Sequence, residues 1–384
     1  MNKIRIGLFG YGIVAKALVE QIQKEHDTRL DIRKICVRTW KEDYNDDPRF
    51  TVDPRGLLES PEIDVLVELT SSSEEPKAWM AEAFRINKPF ITANKRSVAE
   101  SLNEINARGL RGKVPLLYEA AAAAALPVIR SIDGRAWHDN HSSIEGVLNG
   151  STNFILSKMG LGFAFEEALR EAQELGFAEA DPSFDVESID PAFKLSILLY
   201  HSFGAVLSVE DIPHYGISRI TTADLEFARL KGKEIKVLAK AELKGNSICA
   251  RVGPTLVNGR YSAVANERNA VLVSGDRFGD LYFEGRGAGG HATAQAIIGD
   301  IYQASQGYSY TTSPIRILAN AKAEPLGFYL RYQKTAEPNL NGVHNLELVD
   351  VGEFENTITG RLPLSDISER SLGRGKGQFL MFLE

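Results

Sequence analysis

A dense group of charged side chains in the middle of the chain is the first candidate for chemistry. The segment from Gly176 to Lys194 reads Gly-Phe-Ala-Glu-Ala-Asp-Pro-Ser-Phe-Asp-Val-Glu-Ser-Ile-Asp-Pro-Ala-Phe-Lys. Its carboxylates are Glu179, Asp181, Asp185, Glu187 and Asp190. Carboxylates and lysines are residue types that act in proton transfer. The spacing of the last acid, Asp190, and Lys194 predicts that these two side chains contact each other.

Asp190 and Lys194 are four residues apart, which places them on the same side of a helix. Pro191–Phe203 is predicted as an apolar helix that stops at Gly204, with Asp190 as N-cap and Pro191 in the first position. The helix dipole disfavours a cation in the first turn, and a desolvated lysine there would be the neutral amine that proton transfer requires. Spacing alone favours the alternative, an ordinary surface ion pair beside a solvated acidic loop.

The N-terminus carries the second candidate site. Ile4–Phe9 is predicted as a buried parallel strand, Gly10-Tyr-Gly-Ile-Val-Ala15 follows, and a helix pattern runs from Val14 to Ile22. This order of strand, glycine-rich turn and helix is typical of dinucleotide binding. Gly10 permits the tight turn, Gly12 lets the backbone approach a pyrophosphate, and the helix N-terminus offers free N–H groups. A glycine-rich turn without a ligand is the weaker alternative.

The second predicted strand, Leu30–Val37, ends at Arg38 rather than at the carboxylate that would bind a ribose hydroxyl. A guanidinium suits a 2′-phosphate and favours NADP over NAD, whereas a solvated surface arginine is an equal alternative. Further strands are predicted at Asp64–Thr70, Pro89–Thr92 and Pro115–Tyr118. The carboxyl end of the 64–70 strand should face the cofactor.

Composition excludes several classes of protein. The 384 residues carry 44 basic and 51 acidic side chains, for a net charge of −7. Lys and Arg form no dense run, so a nucleic-acid partner is not expected. Cys36 and Cys249 cannot form a disulfide framework. A single disulfide between them is the alternative to the simpler interpretation, a reduced, cytoplasmic protein. Neither a signal peptide nor an apolar stretch of about 18 residues is present, so no membrane partner is expected.

Histidines give no sign of a metal site. His201, His214 and His291 are scattered and lack metal-ligand spacing, so each is expected to be structural or exposed.

Four segments together resemble the homoserine dehydrogenase family. Gly176–Lys194 is similar to the family's long signature almost position by position. Ile91-Thr-Ala-Asn-Lys95 is similar to its lysine-bearing strand end, and Asn149-Gly-Ser-Thr-Asn-Phe-Ile-Leu156 to its Asn-Gly-Thr-Thr-Asn stretch. Gly285-Arg-Gly-Ala-Gly289, followed by Thr293-Ala294, resembles its returning glycine-rich segment. The likeness in order and spacing runs through about residues 4 to 325.

The resemblance implies an oxidoreductase that interconverts L-aspartate 4-semialdehyde and L-homoserine with NADP or NAD, in threonine and methionine biosynthesis. It also implies a small-molecule substrate and a homodimer. A dehydrogenase for a different amino-acid semialdehyde and a non-catalytic dinucleotide-binding paralogue are the alternatives. Lys95 and Lys194 disfavour the paralogue, because a pure binder needs neither.

The resemblance also assigns roles by position. Lys194 would shuttle the proton, and Lys95 would lie between cofactor and substrate. A hydride that attacks an aldehyde leaves an alkoxide, which needs an adjacent cation or proton donor. The substrate-binding residues would be Glu179, Asp185 and Asp190. The cofactor-binding residues would be Gly10, Gly12, Ile13, Val14, Arg38, Thr70, Ala93, Lys95 and Gly287.

Two positions depart from the family pattern. The alanine run Ala120–Ala125 is predicted as a loop or first helical turn before a helix from Pro127 to Ile132. The family usually has two glycines where this chain has Ala124 and Ala125, and alanine resists positive φ. In the family this loop offers carbonyl oxygens to a monovalent cation, usually sodium. By position its ligands would be Glu119, Ala122, Ala124 and Leu126.

The second departure lies in the acidic segment. Ser188 replaces a usual glycine just before Ile189-Asp190, which would shift the substrate loop.

The predicted fold class is α/β. A Rossmann-type nucleotide-binding domain spans 1–127 plus 298–325, and an α+β catalytic and dimerisation domain with a mixed sheet spans 128–297. Residues 326–384 would form a short, degenerate ACT-like appendage, for which feedback by threonine is not predicted. Its predicted strands are Phe328–Tyr332, Leu346–Val351 and Phe379–Leu383.

Overall fold

A computed structural model describes residues 3–24, 29–109, 114–133, 141–311, 319–320, 325–351 and 355–383. The chain divides into two compact units. The first comprises Met1–His138, Tyr200–Val206 and Arg286–Ile315, and the second Asp139–Leu199, Leu207–Gly285 and Arg316–Glu384. The domain boundaries drawn from the sequence remain a prediction. Within the described ranges no helix is long and apolar enough to cross a membrane.

The strands of the described residues, in chain order, are β1 (Ile4–Phe9), β2 (Leu30–Cys36), β3 (Phe50–Thr51), β4 (Val65–Glu68), β5 (Phe90–Thr92), β6 (Leu116–Leu117), β7 (His141–Val147), β8 (Glu234–Lys244), β9 (Ser247–Val257), β10 (Arg268–Gly275), β11 (Gly279–Arg286), β12 (Ala319–Asn320), β13 (Leu326–Gln333), β14 (His344–Val351), β15 (Glu355–Leu362) and β16 (Phe379–Leu383).

The α-helices of the same residues are α1 (Ile13–Lys24), α2 (Arg55–Leu58), α3 (Glu74–Arg85), α4 (Lys95–Glu100), α5 (Leu102–Gly109), α6 (Glu119–Ala123), α7 (Val128–Ile132), α8 (Gly150–Gly160), α9 (Phe165–Glu174), α10 (Ser183–Val186), α11 (Ile189–Phe203), α12 (Thr222–Leu230), α13 (Gly290–Ser305) and α14 (Leu364–Glu369).

The first unit is built on a parallel sheet. Its strand order is β3-β2-β1-β4-β5-β6, and every neighbouring pair is parallel. The order reverses at β1, and ligands of such open sheets bind at the carboxyl ends of the strands beside this reversal. The predicted Rossmann-type fold is therefore confirmed, with the Gly10 turn placed at the reversal.

The returning helix α13 packs against α1 within this unit. Ala15, Leu18 and Ile22 of α1 share a buried core with Ile297 and Ile301 of α13. A Cβ at Gly290 would lie 3.1 Å from Ile13 Cγ2 and 3.2 Å from Ala17 Cβ, so the small residue permits the close approach. Helix α13 thus closes the nucleotide unit.

The second unit is built on a mixed sheet with the order β11-β10-β7-β8-β9-β16-β13-β15-β14. β7, β8, β9 and β10 pair antiparallel, whereas β16 and β12 each run parallel to β9. Val147, Leu238, Val257 and Leu272 are among the apolar side chains of one buried cluster of this unit. The predicted mixed sheet is confirmed.

The C-terminal tail adds strands to this sheet. β16 lies between β9 and β13, and β15 and β14 follow outward. The predicted tail strands form, and β15 and α14 appear in addition. Phe328, Ile358, Leu364 and Phe382 build a separate core here with Tyr215. The ACT-like character of the tail stays a prediction.

The start of α11 differs from its prediction. The helix begins at Ile189, so Asp190 and Pro191 lie inside the first turn instead of at the N-cap and first position. Ser188, immediately before it, has a φ of 63°. Lys194 consequently lies in the second turn, where the helix dipole is weaker. Burial, rather than the dipole, must therefore set its chemistry.

Candidate active site

Asp190 and Lys194 form an ion pair inside the second unit. Lys194 Nζ lies 2.8 Å from Asp190 Oδ2, with side-chain exposures of 10% and 3%. Lys194 Nζ also donates to the carbonyl oxygen of Leu148 at 2.7 Å. A solvated surface pair would leave both side chains exposed. The burial therefore decides between the two interpretations of the spacing, in favour of a desolvated site.

Asn149 joins this pair to a second carboxylate. Its Nδ2 donates to Asp185 Oδ1 at 2.7 Å and to Asp190 Oδ2 at 2.8 Å. Its Oδ1 accepts from the N–H of Thr152 at 2.8 Å and caps α8. The turn between β7 and α8 thus brings together the amide, both acids and, through Leu148, the lysine.

Glu179 lies apart from this cluster. Its side chain is exposed, and its carbonyl oxygen accepts from Gln173 Nε2 at 3.0 Å. Within the described residues, no hydrogen bond or ion pair links the Glu179 carboxylate to Asn149. The segment between α9 and α10, which contains Glu179, is held to α8 by Ser151 Oγ, which donates to the carbonyl oxygen of Phe177 at 2.5 Å. The structure therefore joins Asp185 and Asp190 through Asn149 and leaves Glu179 on the solvent side.

Ser188 is strained and buried beside Asp190. It has a φ of 63° and no exposed surface. Its hydroxyl is buried and has no hydrogen-bond partner among the described residues. The Ser188 N–H donates to the carbonyl oxygen of Asp185 at 2.9 Å, which closes the turn. The predicted loop keeps the conformation that glycine would take, with a serine in its place.

The glycine-rich turn of the first unit has the geometry of a phosphate loop. Gly10 has a φ of 90°, and a Cβ there would lie 2.8 Å from the carbonyl oxygen of Leu69. A Cβ at Gly12 would meet no described atom within 4 Å, so that side of the turn is open. Ile13, the first residue of α1, is 80% exposed. Gly10 is thus required by the backbone, and Gly12 faces the space where a ligand would approach.

A buried carboxylate connects the ends of β4 and β5. Glu68 is fully buried and accepts from the Thr70 N–H and hydroxyl and from the Thr92 hydroxyl, each at 2.6 Å. Burial raises the pKa of Glu68, and these bonds oppose that rise. Asn94 Oδ1 caps α4 by accepting from Ser97 N–H at 3.1 Å. Lys95 is the first residue of α4, so this network fixes where it begins.

Ala93 and Gly287 also fall in the first unit. Ala93 follows β5 directly, and its N–H donates to the carbonyl oxygen of Glu68 at 3.4 Å. Gly287 is buried in the connection between β11 and α13. Because Gly290 packs on Ile13, this connection leads to the start of α1.

Arg38 has a carboxylate partner at the end of β2. Arg38 Nη2 lies 2.8 Å from Glu75 Oε2, and the two side chains are 69% and 50% exposed. An ion pair this exposed contributes about 0–1 kcal/mol to stability. A phosphate group could therefore take the place of Glu75 at little cost.

The loop after Glu119 is organised by its side chain. Glu119 Oε1 and Oε2 accept from the N–H groups of Ile129 and Arg130, both at 2.9 Å. The Glu119 N–H donates to Asp300 Oδ2 at 3.1 Å, and Arg130 Nη2 donates to Asp300 Oδ1 at 2.8 Å. Burial raises the pKa of Glu119 to about 7, aided by the charge of Asp300. Burial likewise raises the pKa of Asp300 to about 7.

One alanine of this loop, Ala124, has a backbone conformation typical of glycine. Ala124 has a φ of 49° and a ψ of −110°. Ala124 thus adopts a positive φ that alanine resists, because the surrounding structure holds it there at a cost of about 1–3 kcal/mol. The Leu126 carbonyl oxygen accepts from Val128 N–H at 2.8 Å. The described residues contain no group of three His, Cys, Asp or Glu side chains for a metal.

Comparisons with known proteins agree with this geometry. Residues 127–302 match the family model of homoserine dehydrogenase, and residues 10–119 match the model of its NAD-binding domain. The homoserine dehydrogenase of Bacillus subtilis is 35% identical over 314 residues, which are 78% of this chain and 72% of that protein. The chain belongs to the homoserine dehydrogenase family. The homoserine dehydrogenase of Pseudomonas aeruginosa is 36% identical over 313 residues, covering 78% of this chain and 72% of that protein.

Solved structures of homoserine dehydrogenases share the fold. The enzyme from Thiobacillus denitrificans has a TM-score of 0.84 at 28% identity, over 100% of this chain and 99% of that chain. A hyperthermophilic archaeal homoserine dehydrogenase in complex with NADPH has a TM-score of 0.68 at 25% identity, over 80% of this chain and 99% of that chain.

This homoserine dehydrogenase is thus an NAD(P)-dependent oxidoreductase that interconverts L-homoserine and L-aspartate 4-semialdehyde. The predicted family, activity and cofactor class are confirmed. Asn149, Glu68 and Asn94 are the site residues that sequence reasoning missed. Asn149 and Asn94 each stand between a strand and a helix, and this N-cap position was the available signal. Glu68 gave no signal, because a single acid at the end of an apolar strand has no local partner.

Proposed function

We propose that Lys194 carries the proton of the homoserine hydroxyl while Asp185 and Asp190 bind the substrate's charged end. The observation that supports this is the buried contact of 2.8 Å between Lys194 Nζ and Asp190 Oδ2. Bound NAD(P) would supply the hydride acceptor for the carbon that bears the hydroxyl. Glu179 would bind the substrate ammonium from the solvent side, where a carboxylate is a suitable partner.

In the oxidation, the neutral amine of Lys194 takes the hydroxyl proton as the C–H bond breaks. In the reduction, the ammonium form returns that proton to the alkoxide that hydride attack creates. Asp190 stabilises the ammonium form, and the Leu148 carbonyl fixes where the group lies. Lys95, at the start of α4, would supply a second cation near the cofactor.

The test compares Lys194→Ala and Lys194→Arg with wild type, with homoserine and either NAD or NADP, by absorbance of the reduced nicotinamide. We expect Lys194→Ala to lose turnover by about 10²–10⁴-fold and to keep its cofactor affinity. Lys158→Ala is the matched control, because Lys158 is a lysine of the same unit that pairs with Glu171 of α9 at 2.5 Å. Equal turnover in Lys194→Ala and the control would contradict the role.

For the cofactor, we propose that Arg38 binds the 2′-phosphate of NADP. The exposed pair with Glu75 supports this, because a doubly charged phosphate is a stronger partner than one carboxylate. Titration of NADPH and NADH into wild type and Arg38→Ala tests it. NADPH alone should bind more weakly to the variant, and equal NADPH affinity in both proteins would remove Arg38 from the site.

For a monovalent cation, we propose the carbonyl oxygens of Glu119, Ala122, Ala124 and Leu126 as sodium ligands. The donor chemistry fits, since hard cations prefer oxygen ligands, and Ala124 has the conformation that a glycine would have. Bound sodium would stabilise the turn by neutralising carbonyl dipoles. Thermal unfolding in sodium chloride against choline chloride at equal ionic strength tests this, and identical midpoints would contradict it.

We further propose that the enzyme is a homodimer of the cytoplasm, with cofactor binding in 1–127 plus 298–325 and dimer contacts in 128–297. Sedimentation equilibrium would give twice the chain mass of 42.3 kDa for a dimer. A monomer at all concentrations would contradict it.

A further inference from the structure

We propose that Asn149 is a positioning residue that keeps Asp185 and Asp190 ionised side by side and thereby sets the protonation of Lys194. This inference rests on the roles proposed above for Asp190 and Lys194. Asn149 is 3% exposed, and its side chain contacts both acids and the backbone of α8.

The chemistry of a neutral amide suits this position. One nitrogen donates at 2.7 Å to Asp185 and at 2.8 Å to Asp190, so the two oxygens lie no more than about 5.5 Å apart, the sum of the two bonds. Asp190 is buried and Asp185 is half-buried, so two carboxylates at this separation repel each other, and one would take up a proton. Hydrogen bonds to the ionised form oppose that uptake. A carboxylate in place of the amide would add a third negative charge.

The other side-chain atom anchors the amide. Oδ1 accepts from Thr152 N–H at 2.8 Å, so the orientation of the NH₂ group follows from the helix cap. The next residue leaves no room for adjustment, since a Cβ at Gly150 would lie 2.7 Å from the carbonyl oxygen of Glu267. Asn153, one turn further, is held by the carbonyl oxygens of Val264 and Arg268 at 3.0 and 3.1 Å. The turn is therefore a rigid support.

The same turn also positions the lysine. Leu148, which precedes Asn149, accepts from Lys194 Nζ at 2.7 Å. Among the described residues, the charged side chains that hydrogen bonds join to this turn are Asp185 of α10 and Asp190 and Lys194 of α11. Glu267 approaches Gly150 through its backbone carbonyl. Glu187 is directed elsewhere, because its Oε2 lies against Gly216, where a Cβ would clash with it. Loss of the amide should therefore act first on the titrations of Asp185, Asp190 and Lys194.

The expected consequence is a shift in pH dependence. Without the amide, one of the two acids holds its proton to higher pH, so the pair binds the substrate ammonium in its fully ionised form only above that pH. The acidic limb of kcat/KM for homoserine should then move to higher pH, and KM for homoserine should rise. Cofactor affinity should not change, because the described contacts of Asn149 all lie in the second unit.

The test uses Asn149→Ser, Asn149→Asp and the control Asn153→Ser in the full-length enzyme. Serine and aspartate both preserve an oxygen that can cap α8, whereas neither preserves the two N–H donors. We expect kcat/KM to fall about 10- to 100-fold in Asn149→Ser, the effect of lost hydrogen bonds to charged groups. We expect a larger loss in Asn149→Asp, and in both variants the acidic limb moves upward.

Asn153→Ser removes buried hydrogen bonds of the same helix without touching either acid. It should lower thermal stability and leave the acidic limb in place. If Asn149→Ser lowers stability but leaves both the limb and KM unchanged, Asn149 is a helix cap only and the proposal is overturned. Turnover in Lys194→Ala tests the proposed proton transfer by Lys194 separately, so its failure can be distinguished from failure of the positioning role of Asn149.

Discussion

Replacement of Ser188 by glycine should stabilise the enzyme. Ser188 combines a φ of 63° with a hydroxyl that is fully buried and has no partner among the described residues. A non-glycine residue in the left-handed region costs about 1–2 kcal/mol. A buried hydroxyl without a hydrogen bond costs about 1–3 kcal/mol more. Glycine removes both terms and adds about 0.5–1 kcal/mol of chain entropy to the unfolded state. The net expectation is a gain of about 2 kcal/mol, the balance of these terms.

Two variants separate the two terms. Ser188→Ala removes the hydroxyl but keeps the strain, so it should gain less than Ser188→Gly. For a unit of this size, a gain of about 2 kcal/mol raises the unfolding midpoint by roughly 4–8 °C. Ser183→Gly is the control, since Ser183 is an exposed serine that begins α10 and lacks positive φ. Thermal unfolding of the four proteins at one pH is the assay. If Ser188→Gly is no more stable than Ser188→Ala, the strain argument fails.

Three further substitutions have defined expectations. Ala124→Gly should raise stability by about 1 kcal/mol by relieving the strain at a φ of 49°, and an unchanged unfolding midpoint would show that the loop has relaxed. Glu119→Gln removes a carboxyl whose pKa is raised to about 7. The protonated carboxyl contributes its full stability below pH 4.5, and this stability is lost as the pH rises through 7. The free energy of unfolding in urea should therefore fall between about pH 5 and about pH 8, and the fall should be smaller in the variant than in wild type by up to about 3 kcal/mol. Equal falls in the two proteins would contradict a raised pKa for Glu119. Gly10→Ala forces a Cβ to within 2.8 Å of the Leu69 carbonyl oxygen and should abolish cofactor binding. A fluorescence titration that gives the variant the cofactor affinity of wild type would contradict this.

Periodicity and burial made most of the fold predictable. β1 and β16 have the predicted bounds, because short apolar runs between turn residues favour buried strands. The parallel sheet followed from the strand, glycine turn and helix at the N-terminus. β15 and α14 were missed, because their apolar residues alternate with Gly360, Arg361 and Asp366 and give a weak pattern.

The site was predictable in residue types and less so in contacts. Asp190 and Lys194 meet as their spacing predicts, because four residues are close to one helical turn. The contact of Asn149 with Asp185 spans 36 residues, and no local rule relates two positions so distant in sequence. The start of α11 at Ile189 was also hidden, because serine seldom adopts the positive φ that Ser188 has.

The measurement that tests the account most directly is the rate of homoserine oxidation by Lys194→Ala at saturating cofactor. If the buried lysine carries the hydroxyl proton, the variant binds NADP or NAD like wild type and turns over about 10²–10⁴-fold more slowly. Turnover within a few-fold of wild type, with homoserine and cofactor both bound, would contradict the assignment of Lys194.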